Sequence, residues 1–444
     1  MRGFLASSIG VTCAAALALP LTLPASAAPS AAPATQSTSG ARSASTTAEP
    51  DLPGSTESLP LTPRTRDRTL GAAPEQGLTR ADVHRFSLVG VTWSDPDTEL
   101  HGQVQVRTRA TGTGDWSGWQ DIDTHNEDHG ADPGTAERDS GHVHGSTAPL
   151  WVGDSDGVDV RVRATGAATR TAGAVEEQPS PLPTGLHLEL VDPGAAQAPP
   201  AGAPATTNRN RTAPPRLAAT EIPALSKQAT ERELVALGAK AQPYIGPRPR
   251  IVTRHGWGAD EKLREKGFVY TKKVKAAFVH HTATGNNYRC SQAPSVIRGI
   301  YRYHVKSSGW RDIGYNFLVD KCGTIYEGRA GGVAKAVMGA HTLGFNTDSM
   351  GIAVLGTFGS AKPSSAAVTA IAKLTAWKLG LYGVNPRGKT YLKSGGGNLY
   401  RKGKNVRLNV ISGHRDGFAT ECPGRQLYGK LGSARSTSAR YQGR

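Results

Sequence analysis

The stretch Gly413-His414-Arg415-Asp416-Gly417 through Cys422-Pro423-Gly424 sets a histidine and a cysteine eight positions apart on one loop. A neutral imidazole and a thiolate are both good zinc ligands, and two on one loop leave room for a third from elsewhere. The run Ala277-Phe278-Val279-His280-His281-Thr282, some 130 residues upstream, offers it. Side chains alternate along a strand, so only one of His280 and His281 can face a given site, and spacing does not say which. Two histidines and one cysteine would leave a fourth position for water, the layout of a catalytic zinc.

The cysteine count supports a special role for Cys422. Residues 1–27 read as a secretory signal, with Arg2 before the apolar run Phe4 to Leu23 and an Ala25-Ser26-Ala27 cleavage site. Pro20 and Pro24 break that run, and no other approaches the ~18 apolar residues of a membrane span. An exported chain without a membrane anchor is therefore expected. Cleavage would remove Cys13 and leave Cys290, Cys322 and Cys422. In an oxidising compartment the simplest partition is a Cys290–Cys322 disulfide with Cys422 held as a metal thiolate. Three unpaired buried thiols are the alternative.

The positioning elements follow in chain order. Residues 28–66, rich in Ala, Ser, Thr and Pro, read as a disordered leader. From 80 to 193, runs such as Phe86–Trp93, Gly102–Arg109, Gly157–Arg163 and Leu186–Val191 alternate with period two between turn residues, a β-rich, sandwich-like module. Within it, Trp116 and Trp119 could stack on sugar rings, although rim packing explains them as well. The loop from His125-Asn126-Glu127-Asp128-His129 through His142-Val143-His144 is acidic and histidine-rich; a bound metal is conceivable, but long polar loops often collect such residues. Residues 194–244 form a Pro/Ala-rich linker with a short helix near Thr230 to Ala241. Residues 245–432 alternate strand and helix, with amphipathic helices expected over Ser295–Val305 and Ser364–Leu381. A basic tail, 433–444, follows. The expected class is α/β: a mixed central β-sheet flanked by helices, preceded by the β-sandwich-like module.

Charge is unevenly placed. Residues 245–444 carry 33 Lys and Arg against 9 Asp and Glu, a net of +24, whereas the first 244 residues come to −8 and the whole to +16. Such a surface could suit nucleic acid. No zinc-finger spacing, base-reading helix or aromatic RNA-binding motif accompanies it, so nucleic acid is not expected as a partner. For an exported chain, anionic cell-wall polymers fit better, through ionic-strength-dependent attraction.

Residues 249–432 resemble the peptidoglycan recognition protein and type-2 N-acetylmuramoyl-L-alanine amidase family, which includes phage T7 lysozyme. The matching segments are Arg254-His255-Gly256-Trp257, Val279-His280-His281-Thr282, Tyr303-His304, Gly309-Trp310 through Leu318, Tyr326 to Arg329, Gly339 to Thr342, Gly344 to Asn346, Ser349 to Ile352, Gly413 to Asp416 and Cys422 to Gly424. The resemblance implies zinc on His280, His414 and Cys422, with His281 facing away. It implies a catalytic role for Tyr315, and Thr420 falls where members carry a lysine or threonine beside the site. It further implies that His304, Gly309, Trp310, His341 and Asn346 line a groove for the peptidoglycan stem peptide. Gly309-Trp310 resembles the version associated with diaminopimelate stems. Arg329 could hold a stem carboxylate or pair with Asp312 or Asp320. The activity implied is secreted, zinc-dependent cleavage of the amide between N-acetylmuramic acid and L-alanine. A non-catalytic peptidoglycan receptor and a wall-adhesion protein are the other readings.

Overall fold

The computed structural model describes residues 54–64, 74–124, 128–171, 174–195, 219–236 and 244–444. The expected signal segment and most of the Pro/Ala linker lie outside the described residues. The β-rich module holds one antiparallel network of nine strands. Five carry its frame: β1 (Thr56–Pro60), β2 (Glu75–Arg80), β3 (Phe86–Trp93), β4 (Leu150–Ala164) and β5 (His187–Val191), in the order β1-β5-β3-β4-β2. The expected leader therefore ends early, because Thr56–Pro60 pairs along its whole length with His187–Val191.

All eight residues of β3 are buried, although its sequence alternates. Val89, Val91 and Trp93 enter the module's own core, and Leu88 on the other face joins a second cluster. That second cluster belongs to the following domain. It contains Val296, Ile297, Ile300 and Tyr303, together with Trp151 and Val191 of the module. Gly90 lies between: a Cβ there would run into the Tyr303 hydroxyl, which donates to the carbonyls of Val91 and Thr147. Alternation ordinarily marks a strand with one face in water; here the following domain covers that second face instead.

The second sheet has seven strands. Toward one edge, β6 (Ala276–His281) is flanked in parallel by β7 (Ser349–Val354) and by the edge strand β8 (Ile411–Gly413). Phe317–Val319 extends it in parallel beside β7, and Ile325–Glu327 adds an antiparallel strand, so the sheet is mixed. An edge strand, Glu221–Ile222, comes from the stretch expected as linker. Besides a short helix over Lys227–Ala236 and a single turn over Arg425–Tyr428, the helices among the described residues are α1 (Ala293–Arg302), α2 (Ser365–Gly380) and α3 (Leu431–Gln442). After Arg302 the chain widens into one π-turn over Tyr303–Ser307, which shifts the register of His304. Cys290 and Cys322 are joined by a disulfide, while Cys422 is free and buried.

Residues 433–444 are not a tail. They form most of α3, which packs on α2 through Leu431 and Ala434 and a Thr375–Ser438 hydroxyl contact of 2.9 Å. Small residues hide its apolar stripe from sequence but allow close helix approach. Arg435 Nε donates to the Ile411 carbonyl at 2.7 Å, bracing the strand that delivers His414. A chain ending at residue 430 is expected to lose about 2–3 kcal/mol from Leu431 burial alone. Urea unfolding of the truncated chain would measure this; an unchanged midpoint would contradict the packing role.

Candidate metal centre

Three parallel strand ends meet at the site. Val279 is in register with Gly413 and His280 with Ala353, so His280 leaves β6 beside the point where β8 turns into a short 3₁₀ turn at His414. The following loop is tied back twice. Arg415 N–H donates to the Cys422 carbonyl at 3.0 Å, and Gly413 N–H donates to Asp416 Oδ2 at 2.9 Å. The Tyr428 hydroxyl holds the other Asp416 oxygen at 2.6 Å. These bonds return Cys422 to His414 across the intervening residues.

His280 Nδ1 lies 3.1 Å from His414 Nδ1 and 3.8 Å from Cys422 Sγ. A tetrahedral zinc with its usual N and S bond lengths gives edges of about 3.3–3.6 Å, close to these separations. A fourth donor is present. His129 from the module joins them, and one donor atom from each of the four residues falls within 4.8 Å of all the others. His129 Nε2 is buried without a hydrogen-bond partner. The remaining nitrogens of all three rings are engaged. His129 Nδ1 lies 2.6 Å from Asp128 Oδ1, His414 Nε2 donates to the Asp128 carbonyl at 3.1 Å, and His280 Nε2 is 3.4 Å from the Thr342 hydroxyl. Held outer nitrogens with inner ones converging are how metal-binding imidazoles are oriented. The donor set and the unpartnered Nε2 fit a zinc ion.

Burial keeps the imidazoles of His280 and His414 neutral. It drives His280 well below its ordinary value, and it brings His414 to about 3 although the Asp128 charge opposes it. Burial, aided by Asp128, pushes the Cys422 thiol well up. Burial alone would raise Asp128 too, but His129, 2.6 Å away, outweighs it and holds the carboxyl below its usual range. His281 points elsewhere: its Nδ1 accepts from the Phe358 N–H at 3.3 Å.

Tyr315 stands beside the cluster, its ring centroid 5.5 Å from that of His280 and 5.7 Å from that of His129. Burial, with Cys422 and Asp128 adding to it, raises its phenol well above 10, so it stays protonated and can donate. Thr420 borders the same space, its hydroxyl accepting from the Cys422 N–H at 3.1 Å. The space left among Asp123, His129, Tyr315, Thr420 and Cys422 is about 10 Å³. That admits one water at most.

The residues expected to line a groove are brought to this side, and the module touches most of them. His304 stacks on Trp310 with ring centroids 4.3 Å apart and accepts from the Gly314 N–H at 3.2 Å. His341 is buried against His280, centroids 5.3 Å apart. Asn346 Oδ1 accepts from the N–H groups of His341 and Thr342, and its Nδ2 donates to the Gly130 carbonyl and to Asp132 Oδ1 at 2.9 and 2.6 Å. Gly309, at φ +72°, has no room for a Cβ because the His142 carbonyl occupies that position. Arg329 pairs with neither carboxylate considered from sequence. Both its terminal nitrogens donate to Glu137 at 2.8 Å, while Asp312 takes Arg254 and Asp320 takes the Tyr326 hydroxyl. With the other two carboxylates already taken, Glu137 is left to meet the guanidinium fork with both oxygens.

Sequence reasoning missed Asp132 and Glu137. For the stretch with Asp128 and His129 it weighed a bound metal against ordinary polar-loop composition and favoured the latter; His129 lies in the donor cluster. His125 and Glu127 lie outside the described residues, and His142 and His144 are exposed. Trp119 is flanked by the guanidinium groups of Arg161 and Arg107, 4.1 and 5.1 Å from its ring centroid.

The family described as N-acetylmuramoyl-L-alanine amidase matches residues 270–425, and one described as Rv3811 N-terminal galactose-binding domain-like matches residues 39–184. The chain is similar to peptidoglycan-recognition protein SC2 of Drosophila simulans, 31% identical over 200 residues, covering 45% of this chain and 92% of the relative. It is 33% identical over 192 residues to peptidoglycan-recognition protein SC1a of Drosophila melanogaster, covering 42% and 87%. Among solved structures, peptidoglycan recognition protein-LE in complex with tracheal cytotoxin shares 32% identity, covering 41% of this chain and 92% of that one, with a TM-score of 0.32.

Proposed function

The chain belongs to the peptidoglycan recognition protein and type-2 N-acetylmuramoyl-L-alanine amidase family, and from that premise we propose that it is an exported zinc amidase. Its substrate would be peptidoglycan, cut at the amide between the lactyl group of N-acetylmuramic acid and L-alanine. One observation carries this reading: His280, His414 and Cys422 converge at tetrahedral spacing beside a protonated Tyr315. The binding-only receptor shares the groove but has no use for a buried thiol among neutral imidazoles.

His280, His414 and Cys422 would hold the zinc. When bound, zinc supplies Lewis-acid polarisation of a carbonyl and makes water acidic enough to act as a nucleophile near neutral pH. The protein does the rest. The Tyr315 hydroxyl donates to the carbonyl oxygen as negative charge develops there. Thr420, which borders the same space, would stand beside the reacting amide. His304, Trp310, His341 and Asn346 would orient the stem peptide, and Arg329 would take one of its carboxylates. The basic surface of residues 245–444 would draw the chain to anionic wall polymers.

Incubating the zinc-loaded full chain with peptidoglycan and following free stem peptides by mass spectrometry tests the proposal. Release that stops on chelation is expected. Stoichiometric zinc without any release, including from variants with the groove opened, would leave the receptor reading standing. Tyr315→Phe should bind zinc normally yet lose about 10²–10³-fold in kcat, the usual effect of removing one oxyanion donor. A loss confined to KM would instead make Tyr315 a binding residue.

A further inference from the structure

We propose that the segment Asp128–Glu137 of the β-rich module is a built-in plug, in which His129 is the fourth protein ligand of the metal and Asp132 and Glu137 occupy the groove positions of substrate carboxylates. This rests on the amidase reading for what the groove takes, but its geometry is independent of it. His129 Nε2 is aimed into the cluster without a hydrogen-bond partner, and its other nitrogen is fixed by Asp128. A ligand there takes the position that a catalytic zinc leaves open to solvent.

The groove side is equally filled. Glu137 makes a two-pronged ion pair with Arg329 in which both side chains are about 95% buried or more. It also accepts from the Arg311 N–H at 3.3 Å. Asp132 Oδ1 accepts from the Gly344 N–H at 2.8 Å as well as from Asn346. A Cβ added at Gly130 would meet the Trp310 ring at 3.9 Å, and the Asp128 carbonyl accepts from the Leu343 N–H at 2.9 Å. Polar contacts from Asp128, Gly130, Asp132 and Glu137 of one acidic segment, with carboxylates on Asn346 and Arg329, imitate an acidic peptide lying in the groove. The same contacts name the ligand class that must displace it: a peptide carrying at least two carboxylates. The form described here is latent, and it opens when this segment leaves while the rest of the module stays docked.

Three measurements on the full chain decide the matter. X-ray absorption of the zinc-loaded chain should count three imidazoles and one sulfur; two imidazoles would overturn the plug without any mutation. His129→Ala should weaken zinc by at least the about 10–100-fold that loss of an outer partner costs, read in chelator competition, and unchanged affinity would overturn its ligand role. Asp132→Asn combined with Glu137→Gln should bind a soluble, carboxylate-bearing stem peptide at least about 10-fold more tightly than the parent, by relief of a competing internal ligand. Equal binding would overturn the groove half of the proposal. If no form cleaves peptidoglycan, the amidase reading fails while the imidazole count and peptide gain still decide the plug. If parent and opened forms cleave equally fast, the plug fails and the amidase reading stands.

Discussion

Cys422→Ser should abolish amide cleavage, with a loss of about 10³-fold or more, since Lewis-acid assistance is worth several kcal/mol and each 1.36 kcal/mol is tenfold. The substituted oxygen is a poor ligand beside His280 and His414, so zinc occupancy should fall with the activity. The fold should survive. Cys422 has no disulfide partner, and its loop is held by backbone bonds and the Asp416–Tyr428 contact. Zinc analysis, thermal unfolding and stem-peptide release on the same preparation would check the result. Normal cleavage by Cys422→Ser would remove Cys422 from the ligand set.

Arg254→Ala should be the most destabilising single change, by about 3–5 kcal/mol, the range for removing one partner of a buried ion pair. Arg254 Nη1 donates to Asp312 and to the Gly328 carbonyl at 3.1 and 2.6 Å, and its Nε to Glu261 at 2.6 Å. Its guanidinium also lies against the Trp257 and Tyr301 rings, 5.2 and 4.8 Å from their centroids. Without it, Asp312 remains 6% exposed with only the Ile313 and Ala330 N–H groups to share its charge. Those two N–H groups belong to the segments carrying Tyr315 and Arg329. Metal-site mobility should therefore rise together with the loss of stability. Denaturant unfolding gives the magnitude, and a shift below about 1 kcal/mol would make the pair incidental.

What sequence made legible was local. His414 and Cys422 share one loop, and His280 ends a strand whose apolar run announces burial, so each could be found from a few neighbours. The choice between His280 and His281 could not be made that way. Alternation permitted either, and the register of Val279 with Gly413 fixes which side meets His414. The module's share of the site was illegible for a different reason. Asp128 reaches His414 across 286 positions, and Glu137 reaches Arg329 across 192. No periodicity or spacing encodes such pairings, and the loop's composition is that of a solvated surface. Helix α3 was hidden because, past Leu431, its contacts are made by alanine and serine rather than by large apolar side chains. The two-sided burial of β3 was hidden because its second face meets another domain instead of water.

That second face constrains how such a protein can be inherited. With Leu88, Trp151 and Val191 sharing a core with α1, and Tyr303 fitted over Gly90, the two halves are matched surfaces rather than beads on a string. Recombination that exchanged either half alone would leave a stripped sheet face or a bare helix, with Tyr303 lacking the carbonyls that hold its hydroxyl. A viable ancestor had to acquire both halves together or reshape the seam before joining them, so substitutions at 88, 90, 151, 296, 300 and 303 should drift as a set.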